Sequence, residues 1–375
     1  MTAASLRRVA IAATLLAVAA GCSSAATVVA TTTTTSARSR ATAKVATIET
    51  TTSTTVAATS ATVTSTTVAP TTTTTVAPGP PVQPLTGLPL TDPAIMNRPA
   101  LVIKIDNSSA KGVRPHVGIN QADVVFEIQA EGISRYAAVF HSTVPDVVGP
   151  VRSGRTGDVD VVSQLSKPLY KCSGGNKYTI GLLQSSPNLT FLCGQDPGNT
   201  FRDSRGTRGV QVEHTLFTRP AALWALAPPG QGAPAPIFHF RGPADVVSGQ
   251  PVSSVSMSFM ATHVRWAWNP TLNGFVRTLD GTPHVDSTGR QVAAANVVVL
   301  FTTYVKNGNT GSPEAVSVGT GDAWVLTAGQ IVTASWTRAQ ATDPYTITAN
   351  GAPVGLTPGQ TWVELPSPGD GVING

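Results

Sequence analysis

The densest group of residues with chemical potential lies between positions 106 and 158: Asp106, Asn107, Arg114, Glu127, Glu131, Arg135, Arg152, Ser153, Arg155 and Asp158. Arg152 and Arg155 flank Ser153 and Gly154, and an arginine fork binds a carboxylate or phosphate through two parallel hydrogen bonds. With Gly154 and Gly157 permitting close backbone approach and Asp158 opening a helix, an anion can be accommodated there. The ligand-binding expectation therefore covers Asp106, Asn107, Arg135, Arg152, Ser153, Arg155 and Asp158. The competing reading is that these arginines pair with Glu127, Glu131 and Asp158 and simply hold the packing together. Glu127 and Glu131 are also weak catalytic candidates, as the paired acids of a glycosidase. They share a face only if a helix reaches Glu131, and Gly132 argues against that.

Other chemistries find little support. The six histidines, His116, His141, His214, His239, His263 and His284, show no metal-ligand spacing, so no metal site is expected. Ser153 lacks a Gly-x-Ser-x-Gly elbow, and no phosphate-binding loop follows a strand, so no cofactor is expected. Trp266 and Trp268 alternate with period two and fall on one face, as a sugar-stacking pair or as core.

The elements that position these residues divide at the run 227–236, whose four prolines among ten residues exclude helix and central strand. Before it the pattern is mixed. Residues 100–105 read as a strand running into a turn at Asp106-Asn107. Residues 119–128 read as a helix capped by Asn120, with a strand over 123–128 as the competing assignment. Residues 135–142 are strand-like, 158–165 helical, 178–183 ambiguous, and 220–226 helical with proline at its first position. After the break, short β-branched or aromatic runs at 255–259, 264–268, 275–279, 297–304, 324–326, 331–336, 345–349 and 361–365 alternate with turns. Asn273-Gly274, Asp280-Gly281, Asn307-Gly308 and Asn350-Gly351 are hairpin signals. The expected fold class is α+β: a mixed α/β domain over 84–227, then a mostly antiparallel β domain over 237–366.

A different kind of chain precedes this region. Arg7 and Arg8 lead a short apolar run ending in Ala19-Ala20-Gly21-Cys22, the pattern of a secretory signal peptide over 1–21. The run is shorter than the ~20 residues that span a bilayer. Small residues before Cys22 resemble the lipobox of bacterial lipoproteins, which implies cleavage before Cys22 and its acylation. Residues 22–83 then form a Thr-rich tether expected to be disordered. From Ser23 to Pro78 it has no aromatic residue, no Gly and no Asp, so nothing repays the cost of ordering it. Such tracts are also candidates for O-linked sugars.

Charge follows the same division. The chain carries 25 Lys+Arg and 20 Asp+Glu, +5 in all. Residues 1–78 hold Arg7, Arg8, Arg38, Arg40 and Lys44 against Glu49, or +4, which leaves +1 for the folded part. The basic balance belongs to leader and tether, and no nucleic-acid partner is expected. With Cys22 assigned to the lipobox, Cys172 and Cys193 are an even pair in an exported domain, read as a disulfide, with two buried thiols as the alternative.

The order of motifs resembles the YerB-like bacterial lipoproteins, built from a domain of unknown function numbered 3048. The resemblance rests on Pro84-Leu-Thr-Gly-Leu-Pro89, Arg98-Pro-Ala-Leu-Val-Ile-Lys-Ile-Asp-Asn107, Gln121-Ala-Asp-Val-Val-Phe-Glu127, Glu131-Gly-Ile-Ser-Arg135 and Gly149-Pro-Val-Arg-Ser-Gly-Arg155. Weaker matches follow at Glu213-His-Thr-Leu-Phe217, Asn296-Val-Val-Val299 and Gly355-Leu-Thr-Pro-Gly-Gln-Thr-Trp362. Family members tend to have Pro-His-Asn where this chain has Glu213-His214-Thr215. The resemblance implies a lipid-anchored, extracytoplasmic protein and no particular activity. The expected role is a binding or accessory module for a cell-envelope polymer or envelope protein, anchored to the membrane at Cys22. A cell-wall glycan hydrolase or transferase and a protein-binding scaffold are the alternatives.

Overall fold

The computed structural model describes residues 80–374; the expected signal peptide, Cys22 and the expected tether up to residue 79 lie outside the described residues. Val82 bridges Pro89 across a tight turn closed by Gln83 N–H donating to the Leu88 carbonyl.

Long apolar runs make the first strands. β1 (Leu101–Ile105), β2 (Val124–Gln129) and β3 (Ser134–Phe140) are buried on both faces, as near-continuous Val/Ile/Ala/Phe sequences require. The expected helix over 119–128 is instead a single 3-10 turn, Ile119–Gln121, followed by β2. Val124, Val125 and Phe126 are all buried, and only a strand between two packed layers can bury consecutive residues in that way. β4 (Leu169–Lys171) and β5 (Thr190–Phe191) extend this half, with α1 (Asp158–Val162) and α2 (Lys177–Ser185) between β3 and β5. Asn176 caps α2, its side chain accepting from Thr179 N–H, which resolves the ambiguous stretch at 178–183 as helix. A two-stranded ribbon of β6 (Thr200–Arg202) and β7 (Leu216–Thr218) and the short α3 (Pro220–Trp224) complete the first half.

The second half is strand throughout. Its elements are β8 (Gln250–Pro251), β9 (Ser254–Phe259), β10 (Thr262–Asn269), β11 (Gly274–Leu279), β12 (Thr282–Pro283), β13 (Ala293–Ala294), β14 (Asn296–Leu300), β15 (Tyr304–Lys306), β16 (Pro313–Ala315), β17 (Gly319–Thr327), β18 (Gln330–Arg338), β19 (Thr346–Ala349), β20 (Ala352–Pro353), β21 (Thr361–Leu365) and β22 (Gly371–Asn374). Asp280-Gly281 and Asn350-Gly351 both carry positive φ at their two residues, as a type I′ hairpin turn demands. Asn307-Gly308 opens a longer loop instead, because the Asn307 side chain accepts from the Asn309 and Thr310 amides.

One large sheet runs through both halves in the order β20-β19-β18-β17-β14-β21-β2-β3-β1-β4-β5, with β8 added to β18. β21, from near the C-terminus, lies between β14 and β2 and is parallel to both. The proline-rich run 227–236 has neither helix nor strand, but the hydrogen-bonded sheet crosses from one half to the other, and all described residues fall in one compact unit. A six-stranded sheet, β12-β11-β10-β9-β22 with β13 on β11, covers one face of the large sheet. Period-two alternation sorts the side chains. Leu101, Ile103, Val125 and Trp362 enter the core between the sheets with Trp266 and Phe275. Val102, Phe126 and Val363 enter the core on the opposite face with Val161, Val162 and Trp336.

Candidate functional site

Buried ionisable residues interrupt the apolar strands, and Lys104, Glu127, Arg277 and Glu364 among them meet partners across the packed layers. Lys104 on β1 points to the helix-covered face, where its Nζ lies 2.5 Å from Asp158 Oδ1 at the start of α1. Burial lowers the Lys104 pKa, against the opposing pull of Asp158. Asp158 also accepts from Tyr170 Oη (2.5 Å) and from the Arg155 amide (2.7 Å), so its oxygens are fully used. Glu127 on β2 and Glu364 on β21 are register partners on neighbouring strands and face the core between the sheets. Arg277 of β11 reaches them from the other sheet: its Nη2 donates to Glu127, its Nη1 to Tyr136 Oη (3.1 Å), and Nη1 lies 2.8 Å from His284 Nδ1. Trp266 Nε1 donates to Glu364 Oε1 (2.7 Å). Burial, and then the neighbouring Glu127 charge, push the Glu364 pKa well above the ordinary carboxylate value. Trp266 is accordingly a core residue, with Trp268 packed beside it.

The expected acid pair Glu127/Glu131 does not form. Glu127 is sealed, with Ser134 Oγ, Asn107 Nδ2 and Arg277 on its carboxylate. Glu131 lies in the loop after β2, half-exposed, and Arg155 grips both of its oxygens at 2.6 Å through Nε and Nη2. Burial alone would raise the Glu131 pKa. Hydrogen bonds from Arg155 and Ser312, with the Arg155 charge, hold it at about 2.

The remaining residues gather where β1 ends and β3 begins. Asp106, fully buried, accepts from Ser108 N–H (3.0 Å), contacts His214 Nδ1 through Oδ2 (2.5 Å) and lies 3.4 Å from Arg152 Nε. Asn107 is spent on structure: it donates to Ser134 Oγ (2.8 Å), and its two oxygens accept from Arg114 Nη2 (2.9 and 3.1 Å). Arg114 continues to Asp280 at 2.8 Å, tying the two sheets together. Arg135 Nη1 donates weakly to the Ser153 carbonyl (3.4 Å), and its Nε has no partner. Arg152 Nη1 makes one long contact with the Glu213 carbonyl (3.5 Å), and its Nε makes no hydrogen bond. Burial, with the Arg155 charge and then that of Arg152, brings the Arg135 pKa down to about 10 against the pull of Glu131 and Asp106. On the same loop Thr156 Oγ1 is buried without a partner.

Of the seven residues expected to bind a ligand, Asp106, Arg135, Arg152 and Ser153 come together, with unused donors on the two arginines. Arg155, Asn107 and Asp158 are engaged in the framework. Three arginines, 135, 152 and 155, face two carboxylates, Asp106 and Glu131, a surplus of one positive charge. His214, Lys104, Arg277 and Glu364 escaped the sequence reading as site or framework residues. A lone cation inside Leu-Val-Ile-Lys-Ile and a lone acid inside Thr-Trp-Val-Glu-Leu were the available signals, because a charge in a doubly buried strand requires a partner. For His214 no such signal exists.

Cys172 and Cys193 are joined by a disulfide with Cα atoms 4.4 Å apart. Among the described residues no three His, Cys, Asp or Glu side chains cluster as metal ligands, and no helix is long and apolar enough to cross a membrane.

Two family models match in series, the N-terminal domain of a protein of unknown function (DUF3048) over 85–232 and its C-terminal domain over 255–363, together about two thirds of the chain. "Putative lipoprotein YerB" of Bacillus subtilis (strain 168) is 44% identical over 73 residues, 19% of this chain and 21% of that protein, so the match spans about a fifth of the relative's length. The crystal structure of the YerB protein from Bacillus subtilis superposes with a TM-score of 0.69 at 21% identity, over 78% of this chain and 99% of that one, and shares the fold. With both domain models matched in order, this chain belongs to the DUF3048 family.

Proposed function

We propose that this protein is an extracytoplasmic lipoprotein that binds an anionic group of a cell-envelope polymer through the edge formed by Asp106, Arg135, Arg152 and Ser153. One observation carries the reading: Arg135 and Arg152 sit largely buried beside one another with most of their N–H donors unused among the described residues. A guanidinium has five donors, and burying them without acceptors is unfavourable unless a ligand completes the set. Two clustered cations relieved by one anion give that ligand its sign.

The anchoring part of the proposal rests on Arg7, Arg8, the short apolar run and Cys22. The lipoprotein description of the Bacillus subtilis relative supports it. The Thr-rich segment then acts as a tether that lifts the folded region into the wall. The proline-rich run 227–236 separates two sequence domains that share one sheet.

Co-sedimentation with purified cell-wall sacculi tests the reading. The wild-type chain is expected to pellet, and Arg135→Gln/Arg152→Gln to remain in solution while keeping its circular dichroism spectrum. Equal pelleting of the two, or no pelleting of the wild type, removes the polymer-binding proposal.

A further inference from the structure

A second site lies at the β17–β18 hairpin. We propose that a cleft there binds an uncharged pyranose unit of a glycan chain, with Trp324 as the stacking platform and Asp322, Thr303 and Thr333 as partners of the sugar hydroxyls. The cleft shares no lining residue with the arginine edge, so the inference stands or falls independently of the anion-binding reading.

The cleft arises because the two sheets differ in width. The smaller sheet ends at β22, whereas the larger one continues through β17 and β18. Beside this step opens a cavity of about 570 Å³, lined by Phe301, Thr303, Asp322, Trp324, Thr333 and Gly371 among others. Clefts that take small ligands measure roughly 300–1,000 Å³. Period two builds the floor. Asp322 and Trp324 are alternate residues of β17 and project from one face. Thr333 of β18 is the register partner of Trp324, which sets their Cβ atoms roughly 4.5–5.5 Å apart. Trp324 is half-buried against the core between the sheets, so its indole is anchored and still reaches solvent. The Phe301 ring meets it edge to face, with centroids 4.7 Å apart at 81°. Gly371, which opens β22, braces both rings: a Cβ there would lie 2.8 Å from Phe301 and from Trp324, so only glycine allows this approach. The platform is therefore held in place before any ligand arrives.

The polar lining names the ligand class. Thr302 and Thr320 spend their hydroxyls on the Val316 and Trp336 carbonyls. Asp322, Thr303 and Thr333 are exposed, and their side chains take no hydrogen bond among the described residues. Among the described residues Asp322 is the one charged side chain on the lining, so an anion is repelled. A wholly apolar ligand would strip water from a carboxylate and two hydroxyls and replace none of it. A pyranose ring fits both demands. Its C–H face covers the indole, and its rim of hydroxyls meets a carboxylate that only accepts and threonines that donate or accept as required.

The test titrates the full chain with two uncharged probes, a β-1,4-linked tetramer of N-acetylglucosamine and one of glucose, followed by calorimetry and tryptophan fluorescence. Saturable binding of at least one tetramer is expected, with a change in tryptophan emission. Trp324→Ala lowers the affinity about tenfold or more, because it removes both the ring contact and the buried area. If that variant folds poorly, Asp322→Asn decides. It sits on an exposed strand face, keeps the side-chain volume and trades a charged acceptor for a neutral one, which weakens binding roughly fivefold while the melting temperature stays unchanged. Tetramethylammonium chloride is the third probe, since an indole beside a carboxylate also suits a cation. The inference is overturned if neither tetramer binds, if a folded variant of Trp324 or Asp322 binds as tightly as wild type, or if tetramethylammonium binds in place of both tetramers.

Discussion

Replacing Arg277 with methionine is the most searching perturbation of this fold. Arg277 is fully buried, as are its partners Glu127 and Glu364, and its guanidinium lies over the Trp362 ring at 4.8 Å. Burial by itself would lower its pKa, but Glu127, Tyr136 and Glu364 together raise it above the ordinary value, so the cation is held by its surroundings. Methionine keeps most of the volume and removes the charge. Glu127 is then a carboxylate in a dry interior without a counter-ion, while Glu364 still crowds it. Breaking a buried pair from one side costs about 3–5 kcal/mol. At roughly 2–4 °C per kcal/mol for a unit of this size, the melting temperature should fall by about 6–20 °C. The double variant Arg277→Met/Glu127→Gln should recover most of that loss, because it leaves no unpaired charge. Differential scanning calorimetry of the single and double variants reads both effects. A single variant within about 2 °C of wild type refutes the reasoning, and so does a double variant as unstable as the single. Either result means that the cluster is neutral or hydrated in solution and does not clamp the sheets.

Three further outcomes follow from the same network. Burial and the Glu127 charge raise the Glu364 pKa well above its ordinary value of 4.5, so wild-type stability should decline as pH rises above about 4.5. Glu364→Gln keeps the acceptor for Trp266 Nε1; it should be more stable than wild type at pH 8, with an advantage in urea midpoint that vanishes near pH 4. His116 and His141 are held by burial at about 3 and about 4, and His284 is also lowered. The unfolded chain therefore takes up protons first as pH falls below about 6.5, and each group removes up to about 1.4 kcal/mol per pH unit until its folded pKa is reached. Acid titration of wild type against His116→Gln should show the shallower loss in the variant. Reducing the Cys172–Cys193 disulfide, which closes a loop of sequence separation 21, should cost about 3 kcal/mol in the chain-entropy account. A thermal melt with and without reductant measures it.

The sequence was most legible where one physical rule acted alone. Alternating β-branched runs separated by Asp-Gly and Asn-Gly identified most strands after residue 250, and proline at the first turn placed α3. It was least legible where distant segments share a layer. Residues 119–128 carry spacing compatible with a helix, yet from Val124 onward they form a strand because β21, more than 230 residues downstream, and β3 sandwich them. No local pattern encodes that pairing. The same applies to the site. Arg152 and Arg155 look equivalent around Ser153, but a strand end brings Glu131 to Arg155 and leaves Arg152 beside Asp106. What separates them is which carboxylate each side chain can reach, a property of the sheet edge and not of the motif. Arg135 is legible in the same way only after the fact: an arginine opening an apolar strand reads as a solvated end until the register Ile128↔Arg135 places it against β2, next to Asp106. In the proposed anion site the binding pair is therefore Arg135 and Arg152, and Arg155 belongs to the Glu131 loop. A variant of Arg155 alone should disturb the Glu131 loop and leave anion affinity nearly intact, whereas Arg152→Gln should abolish it. Equal losses from the two would return the weight to the loop and undo the distinction drawn from their hydrogen bonds.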